Sequence, residues 1–199
     1  MALAERAVKR PAILTYDDYL AEGETPGRYE IVDGVRTYMT NPASEHQIFV
    51  RNLNRALEEY EEKSGTGIAF ISPVDIVVSC DPLKVRQPDL LYISFERWGD
   101  REFSQSTPLP NPPELVVEVL SPNETRRQIE KKIDEYARVG VLECWIVSPE
   151  ASTIEVLRLS DAGINRLGVY TPGHSFGSDT FPGLIIDVER VFRLPRQRS

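Results

Sequence analysis

Two acidic residues and one lysine in the middle of the sequence have types and spacing suited to chemistry. Asp89 follows Pro88 at the start of a predicted strand. Proline lacks the backbone donor of a sheet ladder and favours a bend, so we expect the carboxylate at a sheet edge, at the mouth of the strand. Taken alone, an aspartate in this position is more often a simple turn residue.

Glu118 is the second acid, and it lies within the apolar run from Glu114 to Leu120. Because side chains alternate along a strand, Glu118 shares one face with Val116 and Leu120, and both faces of the run are largely apolar. This pattern is typical of a central strand. A carboxylate there is costly unless it is paired, hydrogen-bonded or bound to a metal, so Glu118 conflicts with its surroundings as a functional residue does.

Lys132 follows on the next predicted helix and completes the set. At about 100° per residue it falls at the edge of an apolar stripe, whereas Lys131 points to solvent. A lysine at such an edge can extend its amine into water without any function. It becomes a candidate because its helix is expected to pack back onto the strand of Glu118. The stripe comprises Ile129, Ile133, Tyr136 and Ala137.

Together these groups would suit the hydrolysis of a phosphodiester. The carboxylates of Asp89 and Glu118 and the backbone carbonyl of Val119 could hold Mg²⁺ with several waters. The metal would lower the pKa of a bound water and neutralise charge on the phosphate. Lys132 would orient the water or stabilise the transition state.

The elements that must position these residues follow from the periodicity of the sequence. Thr15 with Asp18 and Ser44 with Gln47 are capping-box patterns, the second at the start of a long amphipathic helix over 43–63. Asp33-Gly34 predicts a hairpin turn. A strand, a helix over 125–139 and another strand favour a crossover between parallel strands. The predicted strands cover 28–32, 35–40, 68–72, 74–79, 88–93, 114–120, 142–147, 153–159, 165–170 and 184–188.

Composition and motifs exclude several other classes of protein. The 199 residues suit one domain, and 41% hydrophobic with 27% charged residues is ordinary for a globular chain. The apolar runs are too short to span a membrane, and the first residues lack the apolar core of a secretory signal, so we expect a cytoplasmic protein without membrane contact. Cys80 and Cys144 show no zinc or disulfide spacing. A serine-hydrolase elbow and a Walker A motif are missing from the sequence.

The net charge of −8 argues against a protein that coats nucleic acid non-specifically. Most of this charge is local, because residues 15–62 hold eleven acidic and four basic residues, a net of −7. Basic side chains cluster on the helix of Lys132 and near the C-terminus. Phosphate binding would therefore depend on a metal and a few basic groups, and we expect it to be weak and sensitive to salt.

A series of short motifs, in this order, closely resembles the Uma2 family, also called DUF820. The resemblance covers about residues 13–193. It implies a restriction-endonuclease-like α/β fold of the PD-(D/E)XK type, with a central mixed sheet flanked by helices and extra hairpin strands. It also implies metal-dependent cleavage of nucleic acid by an endonuclease. The motifs are Arg28–Gly34, Pro42–Gln47, Gln87–Leu90, Glu114–Pro122, Lys132–Tyr136 and Gly140–Trp145.

The resemblance also assigns roles to individual residues. Asp89 matches the aspartate of the Pro-Asp motif and Glu118 the second acid, while Lys132 matches a lysine that has moved from the strand to the next helix. Glu30 and His46 match an acid and a histidine that could support the site. Departures at Gln128, Lys131, Cys144 and Ser148 leave the acids intact but alter the surroundings of the lysine.

The sequence thus predicts one nuclease-like domain over 13–193, with a flexible segment at 1–12 and a basic tail at 194–199. The expected cofactor is Mg²⁺ or Mn²⁺, and the expected partner is nucleic acid, DNA in the first place. A homodimer is a further expectation, because a two-fold arrangement suits cleavage of two strands. The alternative is an inactive member of the same fold that binds nucleic acid or a protein.

Overall fold

The computed structural model describes residues 12–23, 25–104, 108–122 and 124–195. Nearly all of the predicted N-terminal segment, and residues 196–199 of the predicted basic tail, lie outside these ranges. The helices are α1 (Tyr16–Glu22), α2 (Ser44–Ser64), α3 (Phe95–Trp98), α4 (Arg126–Val139) and α5 (Val188–Val191). The strands are β1 (Tyr29–Val32), β2 (Val35–Tyr38), β3 (Gly67–Ile71), β4 (Ile76–Cys80), β5 (Leu83–Arg86), β6 (Leu90–Ser94), β7 (Leu115–Val119), β8 (Glu143–Ser148), β9 (Thr153–Ser160), β10 (Gly163–Tyr170), β11 (Ser175–Gly177) and β12 (Ile185–Asp187).

A six-stranded mixed sheet forms the centre of the fold, in the order β10-β9-β8-β7-β6-β3. Strands β7 and β8 are parallel, with Val117 opposite Trp145, and the other neighbours are antiparallel. A smaller sheet has the order β2-β1-β5-β4, and β11 pairs with β12. The predicted fold class, a mixed sheet flanked by helices with additional hairpins, is confirmed.

Strand β7 lies inside the large sheet and is apolar on both faces, as its alternation predicts. Its odd-numbered residues pack against one cluster of buried side chains that includes Leu53 and Leu57 of α2. Val116 packs on the opposite face with Ile133 and Tyr136 of α4. Helices α2 and α4 therefore cover opposite faces of this strand, and both can reach its C-terminal end.

Helix α4 provides the crossover between the parallel strands β7 and β8. Thr125 caps its start, where the threonine hydroxyl accepts from the N–H of Gln128 and the Gln128 side chain accepts in return. This reciprocal capping satisfies two backbone donors that the first turn leaves free. Gly140 ends the helix with φ of 92°, a conformation that glycine adopts without strain. The predicted crossover is confirmed.

The helix starts show where capping patterns succeed and where one fails. Thr15 and Asp18 form the predicted capping box at α1. The second predicted box was wrong, because Ser44 is already the first helical residue of α2 and Ala43, which has no capping side chain, takes the cap position.

Strand β5, which pairs with β1 and β4, was missed. No helix in the described ranges has both the length and the apolarity needed to cross a membrane.

Candidate active site

Asp89 lies just before β6, where the N-terminal end of β6 pairs with the C-terminal end of β7. Its N–H donates to the carbonyl of Val117 at 3.1 Å, and its Oδ2 accepts from the N–H of Val119 at 2.7 Å. The expected position at a sheet edge was wrong, since β6 is an interior strand and Asp89 is only 3% exposed. The ladder continues through the Asp89 N–H, so the missing donor of Pro88 does not force the strand to the edge.

The carboxylate of Asp89 also has two charged or polar neighbours. Arg28 Nη2, immediately before β1, lies 2.7 Å from Oδ1. His46 Nε2, in the first turn of α2, lies 3.3 Å from Oδ2 and 3.1 Å from the carbonyl oxygen of Val119. Because both neighbours of Nε2 are acceptor oxygens, we infer that this nitrogen carries the proton. His46 Nδ1 is buried without a hydrogen-bond partner among the described residues.

These contacts keep Asp89 ionised. Burial alone would raise the pKa of Asp89, but the hydrogen bond from His46 and the positive charge of Arg28 outweigh burial, and the pKa lies below its usual value. The N–H of Val119 contributes in the same direction. Asp89 is therefore a carboxylate at neutral pH, as a cation ligand must be.

Glu118 faces α4 and accepts from two residues of that helix. Tyr136 donates its hydroxyl to Oε1 at 2.6 Å, and Lys132 Nζ lies 3.4 Å from Oε2. Burial raises the pKa of Glu118 to about 6, and the nearby charge of Asp89 contributes in the same direction. The charge of Asp89 therefore disfavours the ionised form of Glu118, and a cation between the two would relieve that repulsion.

Lys132 is held by three carboxylates from three parts of the chain. Besides Glu118, its Nζ lies 3.1 Å from Glu124 Oε1, in the loop before α4, and 3.2 Å from Glu30 Oε1 on β1. The contact with Glu30 is an ion pair without hydrogen-bond geometry, since that oxygen makes no hydrogen bond. Burial lowers the pKa of Lys132, but the three carboxylates outweigh it and the pKa lies above its usual value. Lys132 therefore stays protonated.

Glu30 is also paired with a buried arginine, which contacts a further acid on α4. Arg86 on β5 contacts Glu30 Oε2 at 2.5 Å and Glu135 Oε2 of α4 at 2.7 Å. Arg86 and Glu135 are both buried. This arrangement ties the small sheet to α4 beside Lys132, so the position of the lysine depends on both sheets.

The structure thus brings Asp89, Glu118 and Lys132 to the end of β6 and β7, with Glu30 in contact with the lysine and His46 beside Asp89. Sequence reasoning missed the partners that surround them. Tyr136 carried a signal, because it lies four residues after Lys132 on the same helical face. The missed partners with no such signal are Arg28, Arg86, Glu124 and Glu135.

The ligand set predicted for Mg²⁺ fits the ion in chemistry, since it consists of two carboxylates and a carbonyl. Each predicted ligand atom has a protein partner, however: Arg28 and His46 occupy Asp89, and His46 also occupies the carbonyl of Val119. Within the described part of the chain, no three His, Cys, Asp or Glu side chains form a group that could hold a metal. A cation would therefore have to replace contacts of Arg28, His46 or Lys132.

Two open cavities reach this region. One of about 200 Å³ is lined by Arg28, Gln47 and Asp89, among other residues. Another of about 220 Å³ is lined by His46 and Glu124, together with the loop that follows β7. The cavities therefore reach Asp89, His46 and Glu124, while Glu118 and Lys132 line neither of them.

Comparison with known proteins was informative at the level of family and fold. A family model described as "Putative restriction endonuclease", Uma2, matches residues 15–189. Among solved structures, a "putative nuclease belonging to DUF820" from Anabaena variabilis ATCC 29413 is similar, with a TM-score of 0.72 and 18% identity. The similarity covers 90% of this chain and 97% of the other. A search of curated proteins gave no match.

Proposed function

The chain belongs to the Uma2 family, and from that premise we propose that it is a metal-dependent endonuclease that hydrolyses phosphodiester bonds of DNA. The observation that carries the proposal is a pair of buried carboxylates at one peptide unit. Asp89 accepts from the N–H of Val119, Glu118 is the residue before it, and a buried lysine contacts Glu118. Buried acids of this kind are costly and cluster at functional sites.

Asp89, Glu118 and the carbonyl of Val119 would hold Mg²⁺ or Mn²⁺. The cation would lower the pKa of a bound water and neutralise charge on the phosphate. Lys132 would not act as a base, because its amine stays protonated between its carboxylate partners. It would instead orient the attacking water or stabilise negative charge on the phosphate in the transition state.

The residues around this centre would act by positioning. Tyr136 fixes one oxygen of Glu118, and Glu30 and Glu124 hold the amine of Lys132 from two other directions. His46 holds Asp89 and the Val119 carbonyl in one orientation. Arg28 neutralises Asp89 and lies at a cavity, so it could contact a phosphate once a cation has taken its place.

The experiment is a cleavage assay on DNA and RNA with Mg²⁺ or Mn²⁺. We expect Asp89→Asn, Glu118→Gln and Lys132→Met to lower kcat/KM for DNA by about 100-fold or more, because each removes charge at the reacting phosphate. Lys131→Met is the matched control, since it removes the same charge from the residue before Lys132, whose side chain is 48% exposed. We expect it to cleave within about twofold of the natural chain.

Two outcomes would contradict the proposal. Equal cleavage by the natural chain and all three site variants would mean a contaminating nuclease or a different active site. Full cleavage in EDTA would exclude the metal.

The second candidate is a non-catalytic member of the fold that binds nucleic acid or a protein. It is favoured by one observation: Arg28, His46 and Lys132 already neutralise or hydrogen-bond the atoms proposed to hold the cation. Under this alternative the natural chain binds DNA without cleaving it at any Mn²⁺ concentration. A homodimer is proposed only with the catalytic function, where it would supply one site for each strand.

A further inference from the structure

A groove between α2 and α5 collects arginines from distant parts of the sequence. Arg51 and Arg55 project from α2, Arg190 from α5, and Arg193 from the segment that follows. They line a cavity of about 380 Å³, together with two acids, Glu59 and Asp187. The groove therefore has an excess of positive charge on a chain with a net charge of −8.

Asn52 links the two walls of the groove by hydrogen bonds. Asn52 Nδ2 donates to the carbonyl of Val191 at 2.9 Å and to that of Arg193 at 3.0 Å. These bonds satisfy carbonyl groups at the end of α5 and hold that end against α2. The arginines thus converge because of specific contacts that keep α5 in place.

The two acids of the groove balance half of its four positive charges. Arg190 lies 3.7 Å from Glu59, while Asp187 uses its carboxylate to accept from the N–H of Arg190 as the cap of α5. Within the described residues, Arg51, Arg55 and Arg193 have no ion pair. Arg51 and Arg55 are also four residues apart on one helix, a spacing at which like charges destabilise the helix. A bound anion would relieve this repulsion.

We propose that this groove binds the sugar–phosphate backbone of the nucleic acid. The inference rests on the proposed function, which supplies nucleic acid as the substrate. Guanidinium groups match phosphate through paired N–H donors. Arg51 and Arg55 are separated by about 6 Å along the helix axis, close to two steps of one strand of duplex DNA at about 3.4 Å each.

The groove lies on the other side of α2 from the catalytic centre. Helix α2 carries His46 in its first turn, and Arg51 and Arg55 follow at about 8 and 14 Å along the axis. At about 100° per residue they point roughly 140° and 180° away from His46. The groove would therefore hold nucleic acid that flanks the cleaved bond, and it would contribute to affinity without touching the reacting phosphate.

The test is equilibrium binding of a short fluorescein-labelled DNA duplex, measured by fluorescence anisotropy in EDTA so that no cleavage occurs. The double variant Arg51→Gln/Arg55→Gln is compared with Arg158→Gln/Arg166→Gln. The control removes the same charge from arginines that are paired with Asp179 and Glu155 and do not line the groove. We expect the groove variant to bind about tenfold more weakly at low salt.

Salt dependence gives the second readout. In a plot of log K against log salt between roughly 50 and 200 mM, the slope should become shallower by about two for the groove variant and stay unchanged for the control. Equal affinity and slope in the two variants would overturn the proposal. So would a natural chain that binds anionic vesicles or an acidic peptide in preference to the duplex.

This outcome is separable from that of the proposed function. If Asp89→Asn and Lys132→Met cleave DNA as well as the natural chain, the proposed active site is wrong. The binding test in EDTA then still shows whether the groove binds DNA. If they lose cleavage while the groove variant binds normally, only the groove is wrong.

Discussion

Glu118 is a carboxylate whose ionisation its surroundings oppose. It lies inside the sheet, beside the negative charge of Asp89, and burial raises its pKa to about 6. Tyr136 and Lys132 favour the ionised form but do not outweigh burial. The ionised form of Glu118, which would bind a cation, therefore makes the folded state less stable. An apolar residue at this position would not carry that cost, so a functional role accounts for the glutamate.

This shift predicts a pH dependence of stability with a definite sign. The pKa of Glu118 is raised from 4.5 to about 6 in the folded state, so folding favours the protonated form. Its contribution is fully present below about pH 4.5 and is lost as pH rises through about 6. Relative to Glu118→Gln, we expect the natural chain to lose roughly 1–2 kcal/mol of unfolding free energy between pH 4.5 and 7, measured by urea denaturation.

The comparison with Glu118→Gln cancels other titrating groups that do not contact this residue. Asp89 has a lowered pKa, so its contribution is lost only as pH falls below its ordinary range, outside this window. A constant difference in unfolding free energy between the two proteins across the window would mean that the pKa of Glu118 is not raised. If the natural chain instead gains stability relative to Glu118→Gln as pH rises, Lys132 and Tyr136 outweigh burial.

The residues of the candidate site differ in how well sequence could identify them. Glu118 stood out because it breaks the pattern of an apolar strand, and Asp89 because it follows a proline at the start of one. Glu124 gave no signal, since a charged residue outside a strand is normal on a surface, and only the tertiary fold decides whether it turns inward. The sequence can therefore nominate the acids but not the cations and hydrogen bonds that set their ionisation.

At the scale of elements, the small sheet is the part that sequence described least well. Strand β5 has four residues, two of them basic, and it resembles a surface turn more than a strand. Its register becomes clear only from its partners β1 and β4. Long elements with strong periodicity, such as α2, α4 and β7, were predicted to within a residue or two. Their hydrophobic faces are large enough to decide their structure locally.

The missed strand matters because Arg86 links it to α4. Breaking a buried ion pair from one side leaves an uncompensated charge. For Arg86→Met we expect a loss of about 3–5 kcal/mol in unfolding free energy, measured by urea denaturation, because both Glu30 and Glu135 lose their partner. Arg166→Met is the control, and removal of its exposed pair should cost no more than about 1 kcal/mol.

A second variant separates charge burial from packing. In Arg86→Met/Glu135→Leu the unpaired carboxylate of Glu135 is replaced by an apolar side chain, so part of the lost stability should return. If the double variant is as unstable as the sum of both single changes, the ion pair is not what links β5 to α4.

At the scale of the whole molecule, net charge is a poor guide to where positive charge collects. The acidic segment over 15–62 contains Arg51 and Arg55, and the net charge of that segment hides their positive charge. The groove forms only when α5 brings Arg190 and Arg193 beside them. This convergence of distant segments depends on tertiary contacts such as those of Asn52. A single-sequence average cannot contain that information, whereas the order of the elements predicted the crossover and the resemblance to Uma2 implied the fold class.

Cation binding should stabilise the whole fold if Asp89 and Glu118 hold the ion, because Asp89 joins the main strands to α2 and Glu118 joins them to α4. A ligand at 100 times its Kd stabilises the folded state by about 2.7 kcal/mol, which for a chain of this length raises Tm by about 5–10 °C. We expect Mn²⁺ to produce this shift in the natural chain and in Lys131→Met, measured by calorimetry at pH 7.5 or above, where Glu118 is ionised. Asp89→Asn should lack it, since the variant loses a charged ligand. An equal shift in Asp89→Asn would mean that the ion binds elsewhere, and the absence of any shift in the natural chain would favour the non-catalytic alternative.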